Sequence, residues 1–187
     1  MIIIVNFGSE KTQYIQDKIN YLGYESQIFH WENMEQVNWG TISGIVLGGS
    51  PFLFTENDFQ IYIDRFQFLK NSSVPILGIC FGHQLLGLLF GSSVYKSEKI
   101  DGENNISIIL NSKLFENFGE NELFVENHTE GITLPIDFEK LASSENCVVE
   151  AMKHSKLNIF GVQFHPEVSG ENGIKLINNF CELTLSA

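Results

Sequence analysis

The chain has 187 residues, 43% of them hydrophobic, which is enough for one domain with a sizeable core, and no Pro/Gly/Ser-rich linker, internal repeat or low-complexity tract divides it. Its 23 acidic against 11 basic residues give a formal charge of −12, and the scattered Lys and Arg form no phosphate-tracking cluster, which argues against a nucleic-acid partner. Such a surface serves solubility or a complementary basic protein partner.

The apolar run at residues 2–5 is too short to span a membrane and lacks the basic flank and small-residue cleavage site of a signal peptide. Cys80, Cys147 and Cys181 are odd in number, far apart and without a Cys-x-x-Cys pair, which argues against a disulfide framework and against a zinc site. The chain is expected to be cytoplasmic, with no metal.

In chain order, residues 2–5 predict a first strand. Residues 12–22 predict a helix with Ile15, Ile19 and Leu22 on one face and Gly23 as its stop. Strands follow at 26–29 and 44–47, then a helix at 59–69 carried by Phe59, Ile63 and Phe66. Residues 74–79 form a near-continuous apolar run, as in a strand covered on both faces, and lead into a helix at 84–90. Beyond Gly91 the pattern shortens to strands at 106–110, 123–126, 148–152 and 159–164, closed by a helix at 174–183. The alternation predicts one α/β domain over residues 1–187: a three-layer sandwich with a mainly parallel central sheet and a small antiparallel addition.

The chemistry-bearing segment is Gly78-Ile79-Cys80-Phe81-Gly82, where a buried strand gives way to a helix. A nucleophile between glycines two positions either side is the strand-to-helix elbow, here with Cys in place of Ser. The turn exposes the sulfur at a helix N-terminus, whose dipole favours thiolate, and aims the Phe81 N–H at a developing oxyanion. The alternative is a small buried cysteine, so the elbow needs a base from elsewhere.

Gly161-Val162-Gln163-Phe164-His165-Pro166-Glu167 supplies one. If the chain stays extended through Pro166, strand alternation puts His165 and Glu167 on one side, and the carboxylate orients the imidazole. Alone, His-Pro-Glu is more often a loop; beside a cysteine elbow it reads as the base and its orienter.

Together, G-I-C-F-G-H-Q and G-V-Q-F-H-P-E resemble the class I glutamine amidotransferase family, over nearly the whole chain. Within it, Leu141-Ala142-Ser143-Ser144, the run from Val149 to His154 and Asn179-Phe180 are most similar to the glutaminase part of GMP synthetase. The resemblance implies a flavodoxin-like sandwich and no cofactor. It implies that Cys80 attacks the side-chain amide of glutamine to give a γ-glutamyl thioester and ammonia, with His165 as base and Glu167 as orienter. It places an oxyanion hole at the N–H groups of Phe81 and of Gly49 or Ser50, and substrate contacts at Gln84 and at Asn127, His128 and Thr129. His83 reads as structural, the Phe-rich set Phe52, Phe54, Phe59, Phe66 and Phe68 as core and cover, and Cys147 and Cys181 as packing residues.

The pattern departs at four places: Gly48-Gly49-Ser50-Pro51 for Ser-Gly-Gly-Pro, Lys99-Ile100-Asp101-Gly102 for an Arg-Glu-aromatic-Gly stretch, Asn127-His128-Thr129-Glu130 for Ser-His-Gly-Asp, and no His-Thr after Glu167. No P-loop and no synthetase half are present. The ammonia therefore calls for a separate synthetase, an ATP-pyrophosphatase subunit with GMP synthesis the leading acceptor reaction. A stand-alone γ-glutamyl hydrolase and a non-catalytic binding relative are the alternatives.

Overall fold

A computed structural model describes residues 1–185. Nine strands and four α-helices carry the fold: β1 (Ile2–Asn6), α1 (Thr12–Tyr21), β2 (Ser26–His30), β3 (Gly44–Leu47), α2 (Gln60–Phe66), β4 (Ile76–Ile79), α3 (Phe81–Leu89), β5 (Val94–Ile108), β6 (Asn121–Ile132), β7 (Phe138–Ser143), β8 (Ala151–His154), β9 (Ile159–Val162) and α4 (Gly170–Leu183). All nine strands join one sheet in the order β2-β1-β3-β4-β9-β8-β7-β5-β6.

β1 explains the layering. Ile2, Ile3, Ile4 and Val5 are all buried, so both sheet faces must be covered. Ile2 and Ile4 pack on one side with Ile15 and Ile19 of α1 and Leu176, Ile177 and Phe180 of α4. Ile3 and Val5 pack on the other with Phe66 of α2 and Phe81, Leu85 and Leu86 of α3. Burial of each such side chain is worth roughly 1.5–3 kcal/mol, so these two helix layers, more than local propensity, hold the strands.

The parallel half is β2-β1-β3-β4-β9, with Ile2 opposite both Ser26 and Gly44, and Ile79 opposite Val162. The antiparallel portion is larger than expected, because β8, β7, β5 and β6 all run antiparallel to their neighbours. "Mainly parallel" therefore describes the first half of the sheet only. The difference comes from β5 and β6, a long curled hairpin with a register irregularity between Lys96 and Ile100. Most of β5 is polar and partly exposed, with only Ile100 and Ile106 fully turned inward, so its hydrophobic signal is sparse. β7 has no counterpart among the predicted strands, and Val148, assigned to a strand by sequence, is an exposed loop residue before β8.

Two boundaries matter for the site. The helix after the elbow starts at Phe81, not Gln84. Residues 165–167 are not extended either: a single 3₁₀ turn, Pro166–Val168, follows β9, because Pro166 suits the first position of a helical turn as well as it suits a strand end. No helix among the described residues is long and apolar enough to cross a membrane.

Candidate active site

The parallel strands β1, β3, β4 and β9 end on one edge of the sheet, beside the point where the chain order reverses, which is where open α/β sheets place ligands. A cleft of about 420 Å³ lies there, lined by Gly8 and Ser9 after β1, Ser50 after β3, Cys80 after β4, His165 after β9, and Asn127 from β6.

Cys80 adopts φ 52° and ψ −104°, one of two non-glycine residues with positive φ among those described. Such a conformation stores on the order of 1–3 kcal/mol and persists only where the surroundings impose it. Its N–H donates to the Val162 carbonyl at 2.9 Å, which ties the elbow to β9. The flanking glycines are required by close approach: a Cβ at Gly78 would lie 2.5 Å from the Gly82 carbonyl oxygen, and one at Gly82 would collide with the Leu47 carbonyl of β3. The turn thus needs Gly-x-Cys-x-Gly for steric reasons, and it puts the sulfur at the N-terminus of α3.

His165 is held from both sides. Its N–H donates to the Val125 carbonyl of β6 at 2.8 Å, and its carbonyl accepts from Ser169 Oγ at 2.6 Å. Its Nδ1 meets Glu167 Oε1 at 2.7 Å, both side chains buried, across the 3₁₀ turn rather than along a strand. Burial alone would lower the imidazole pKa, but hydrogen bonding with Cys80 and with Glu167, and their negative charge, outweigh it and raise the value to about 10. The arrangement favours imidazolium at His165. The structure therefore brings Cys80, His165 and Glu167 together from segments 85 residues apart.

Gly49 lies against the same imidazole, with His165 Cε1 within 3.5 Å of where its Cβ would be. Ser50 spends its hydroxyl on the loop, donating to the Phe7 carbonyl at 2.8 Å and accepting from the Phe52 N–H, which leaves its main chain as the group to face a ligand. Phe81 is fully buried, and its ring stacks on Phe54 at 4.5 Å, so the helix start and the loop after the turn are packed as one unit. The Phe-rich set divides as core and cover: Phe54 and Phe66 are buried, Phe52 and Phe59 pack on them, and Phe68 is a rim residue against Trp39.

The expected substrate contacts split. Asn127 and Thr129 stay on the outer side of β6, with the Asn127 carbonyl 3.9 Å from Cys80 Sγ. His128 turns the opposite way by strand alternation and is buried, with Nε2 2.6 Å from Glu126 Oε2 and Nδ1 3.0 Å from the Glu130 carbonyl. It lines the interior, not the cleft. Gln84 is also buried, its Nε2 donating to the Glu130 carbonyl at 3.0 Å and to Gln163 Oε1 at 3.1 Å. His83, read as structural, is wholly buried, and its burial pushes its pKa down to about 3 and keeps it neutral.

Three buried residues were missed by sequence reasoning. Gln163 lies beside the sulfur. Glu130, 1% exposed, receives the N–H groups of Phe54 and Thr55 and the Thr55 hydroxyl on its carboxylate, anchoring the loop that follows the turn at 48–51. Glu126 pairs with His128 and faces Glu150, whose carboxyl is raised well above the ordinary range by burial and then by Glu126. Their period-2 spacing, Glu126, His128 and Glu130 on one face of β6, was the available signal. His128, Cys147 and Glu150 offer ligand atoms within 4.8 Å of one another. Both ring nitrogens of His128 are already hydrogen-bonded, Ser144 donates to Glu150 Oε1, and burial pushes the Cys147 thiol up, so none of the three is a free, deprotonated ligand.

Comparison with known proteins gives the family of this fold. The family model for glutamine amidotransferase class-I matches residues 3–183. A glutamine-hydrolyzing GMP synthase subunit of Pyrococcus abyssi is 35% identical, covering 98% of both chains, and its namesake in Methanocaldococcus jannaschii is 34% identical, covering 98% of this chain and 97% of its own. Among solved structures, a candidate GMP synthase subunit from Thermoplasma acidophilum superposes with a TM-score of 0.90 at 28% identity, covering 99% of this chain and 94% of the other. A glutamine amidotransferase from Thermotoga maritima shares the fold, with a TM-score of 0.76 at 21% identity over 97% and 82% of the two chains. With a cysteine elbow, a His-Glu pair facing it and a family match along almost its full length, this chain belongs to the class-I glutamine amidotransferases.

Proposed function

We propose that the chain hydrolyses the side-chain amide of glutamine and passes the ammonia to a separate synthetase protein that makes GMP. The observation that carries this reading is Cys80 at φ 52° on the elbow, in one cleft with a His165 that is hydrogen-bonded to Glu167. The thiol proton passes from Cys80 Sγ to His165, and the thiolate attacks the amide carbon. The oxyanion that forms is met by the main-chain N–H of Phe81 and of Gly49 or Ser50. His165 returns the proton to the departing nitrogen, releasing ammonia and leaving a γ-glutamyl thioester. Water then attacks the thioester, His165 takes its proton, and the proton returns to sulfur as glutamate leaves. Glu167 keeps the imidazole in the required tautomer throughout.

The relatives that span the whole chain are named as one subunit of glutamine-hydrolyzing GMP synthase, which supports a separate synthetase partner. The charge of −12 suits docking against a basic face and predicts association weakened by salt. The test is glutamine hydrolysis by the chain alone, then with an ATP-pyrophosphatase subunit, ATP and XMP. Hydrolysis raised several-fold with GMP formed is the expected result. Full activity alone on a γ-glutamyl amine, unmoved by any synthetase, would replace this reading with a stand-alone hydrolase.

A further inference from the structure

Gln163 follows β9 and is fully buried, so its carboxamide must find partners inside the protein. Its Oε1 lies 3.1 Å from Gln84 Nε2, and its Nε2 lies 3.7 Å from Cys80 Sγ. The direction of this amide follows from its neighbours. The Glu130 carbonyl can only accept, so the Gln84 atom 3.0 Å from it must be nitrogen. That same nitrogen faces Gln163, which must present oxygen to it. The nitrogen of Gln163 is then left pointing at the sulfur. A main-chain group also lies at the sulfur: the Asn127 carbonyl at 3.9 Å suits a thiol S–H and disfavours a thiolate. A donor aimed at the sulfur does the reverse.

We propose that Gln163 is a catalytic residue whose carboxamide N–H donates to Cys80 Sγ and favours the thiolate, with Gln84 as the positioning residue that sets the direction of that amide. Gln163 transfers no proton: the thiol proton goes to His165, and Gln163 contributes only a hydrogen bond that strengthens as charge develops on sulfur. The inference rests on the reading of Cys80 as nucleophile. It assigns Gln84 a role inside the protein, one residue removed from the sulfur.

The test is the pH dependence of Cys80 alkylation by iodoacetamide, followed by mass spectrometry, in the wild-type chain and in Gln163→Met and Gln84→Met. Methionine keeps the length of the side chain and removes the donor. Loss of one hydrogen bond to a charged acceptor should move the inflection up by about one to two pH units in Gln163→Met, roughly a 10- to 100-fold fall in the thiol's ionisation constant. Gln84→Met should move it in the same direction by less, since the amide of Gln163 is then free to turn. A merely structural role would change rates at all pH values without moving the inflection. A folded Gln163→Met with an unmoved inflection overturns the proposal. Should Gln163→Met not fold, Gln163→Glu, which puts a carboxylate where the donor was, must raise the inflection at least as far; no shift there, or failure of both to fold, equally overturns it. The readout uses no glutamine, so a chain that fails to hydrolyse glutamine but shows these shifts would sink the proposed function and leave Gln163 in place.

Discussion

Replacing Glu130 with glutamine tests how the interior holds the loop beside Cys80. The carboxylate accepts from the Phe54 N–H at 3.0 Å on one oxygen, and from the Thr55 N–H at 2.7 Å and the Thr55 hydroxyl on the other. Glutamine keeps one of these oxygens and puts an NH₂ at the other. In its better orientation the amide oxygen serves Thr55, and the buried Phe54 N–H then faces a donor. Hydrogen bonds to charged groups are worth ~1.5–3 kcal/mol and neutral ones ~1 kcal/mol. Losing one and weakening two, offset by the easier burial of a neutral group, leaves about 2–3 kcal/mol of destabilisation. For a chain of this size that is roughly 5–10 °C in Tm. Urea and thermal melts measure the global effect, and hydrogen exchange at the amides of Phe54 and Thr55 measures the local one. Turnover of glutamine should fall as well, because Gly49 and Ser50 lie just before the loosened segment. Glu56→Gln, at the exposed pair Lys96–Glu56, is the control and should leave the transition where it is. A Glu130→Gln melt within about 0.5 kcal/mol of wild type, well under the effect of one such bond, with unchanged exchange at Phe54 and Thr55, would refute the anchoring argument.

Cys80→Ala should abolish glutamine hydrolysis and still fold, whereas Cys80→Gly, equally inactive, should be more stable than the alanine variant by about 1 kcal/mol because glycine tolerates φ 52°; denaturant melts that rank them the other way count against strain at the elbow. His165→Ala should lower kcat more than Glu167→Gln, and NMR titration should find the His165 imidazole pKa lower in Glu167→Gln than the value of about 10 in wild type. Near-normal turnover in His165→Ala, or an unmoved titration, would be incompatible with the triad. Glu150 is held protonated, so the native state binds a proton that the unfolded chain releases near its ordinary value of 4.5, and wild-type stability should fall as pH rises above that value. Glu150→Gln should match wild type near pH 5 and exceed it at pH 9 by roughly 1–3 kcal/mol; parallel stability curves would show that Glu126 and Glu150 share no proton.

Much of this was legible in the residues. The parallel strands announce themselves because a strand covered on both faces is a near-continuous apolar run, as at residues 2–5 and 76–79. The elbow was readable because its glycines answer to local sterics: the chain cannot pass Leu47 and the following helix with a Cβ at 78 or 82. The His165–Glu167 pair was found for a partly mistaken reason, since spacing two apart brings the side chains together in a 3₁₀ turn here and not in a strand. The β5–β6 hairpin was largely hidden, because its pairing is made by main-chain hydrogen bonds along a polar, half-exposed sequence that carries little periodic signal.

The sequence by itself determined the α/β class, the cysteine elbow and the His165–Glu167 pair, because each depends on residue type and on neighbours a few positions away. Only the tertiary structure decided what Gln84, Gln163, His128 and Glu130 do. Gln84 meets Gln163 across 79 residues of chain, and Glu130 meets Thr55 across 75. A buried amide or carboxylate is committed by whichever donors and acceptors the packed elements bring to it, and those partners exist only once α3, β6 and β9 have closed around the cleft.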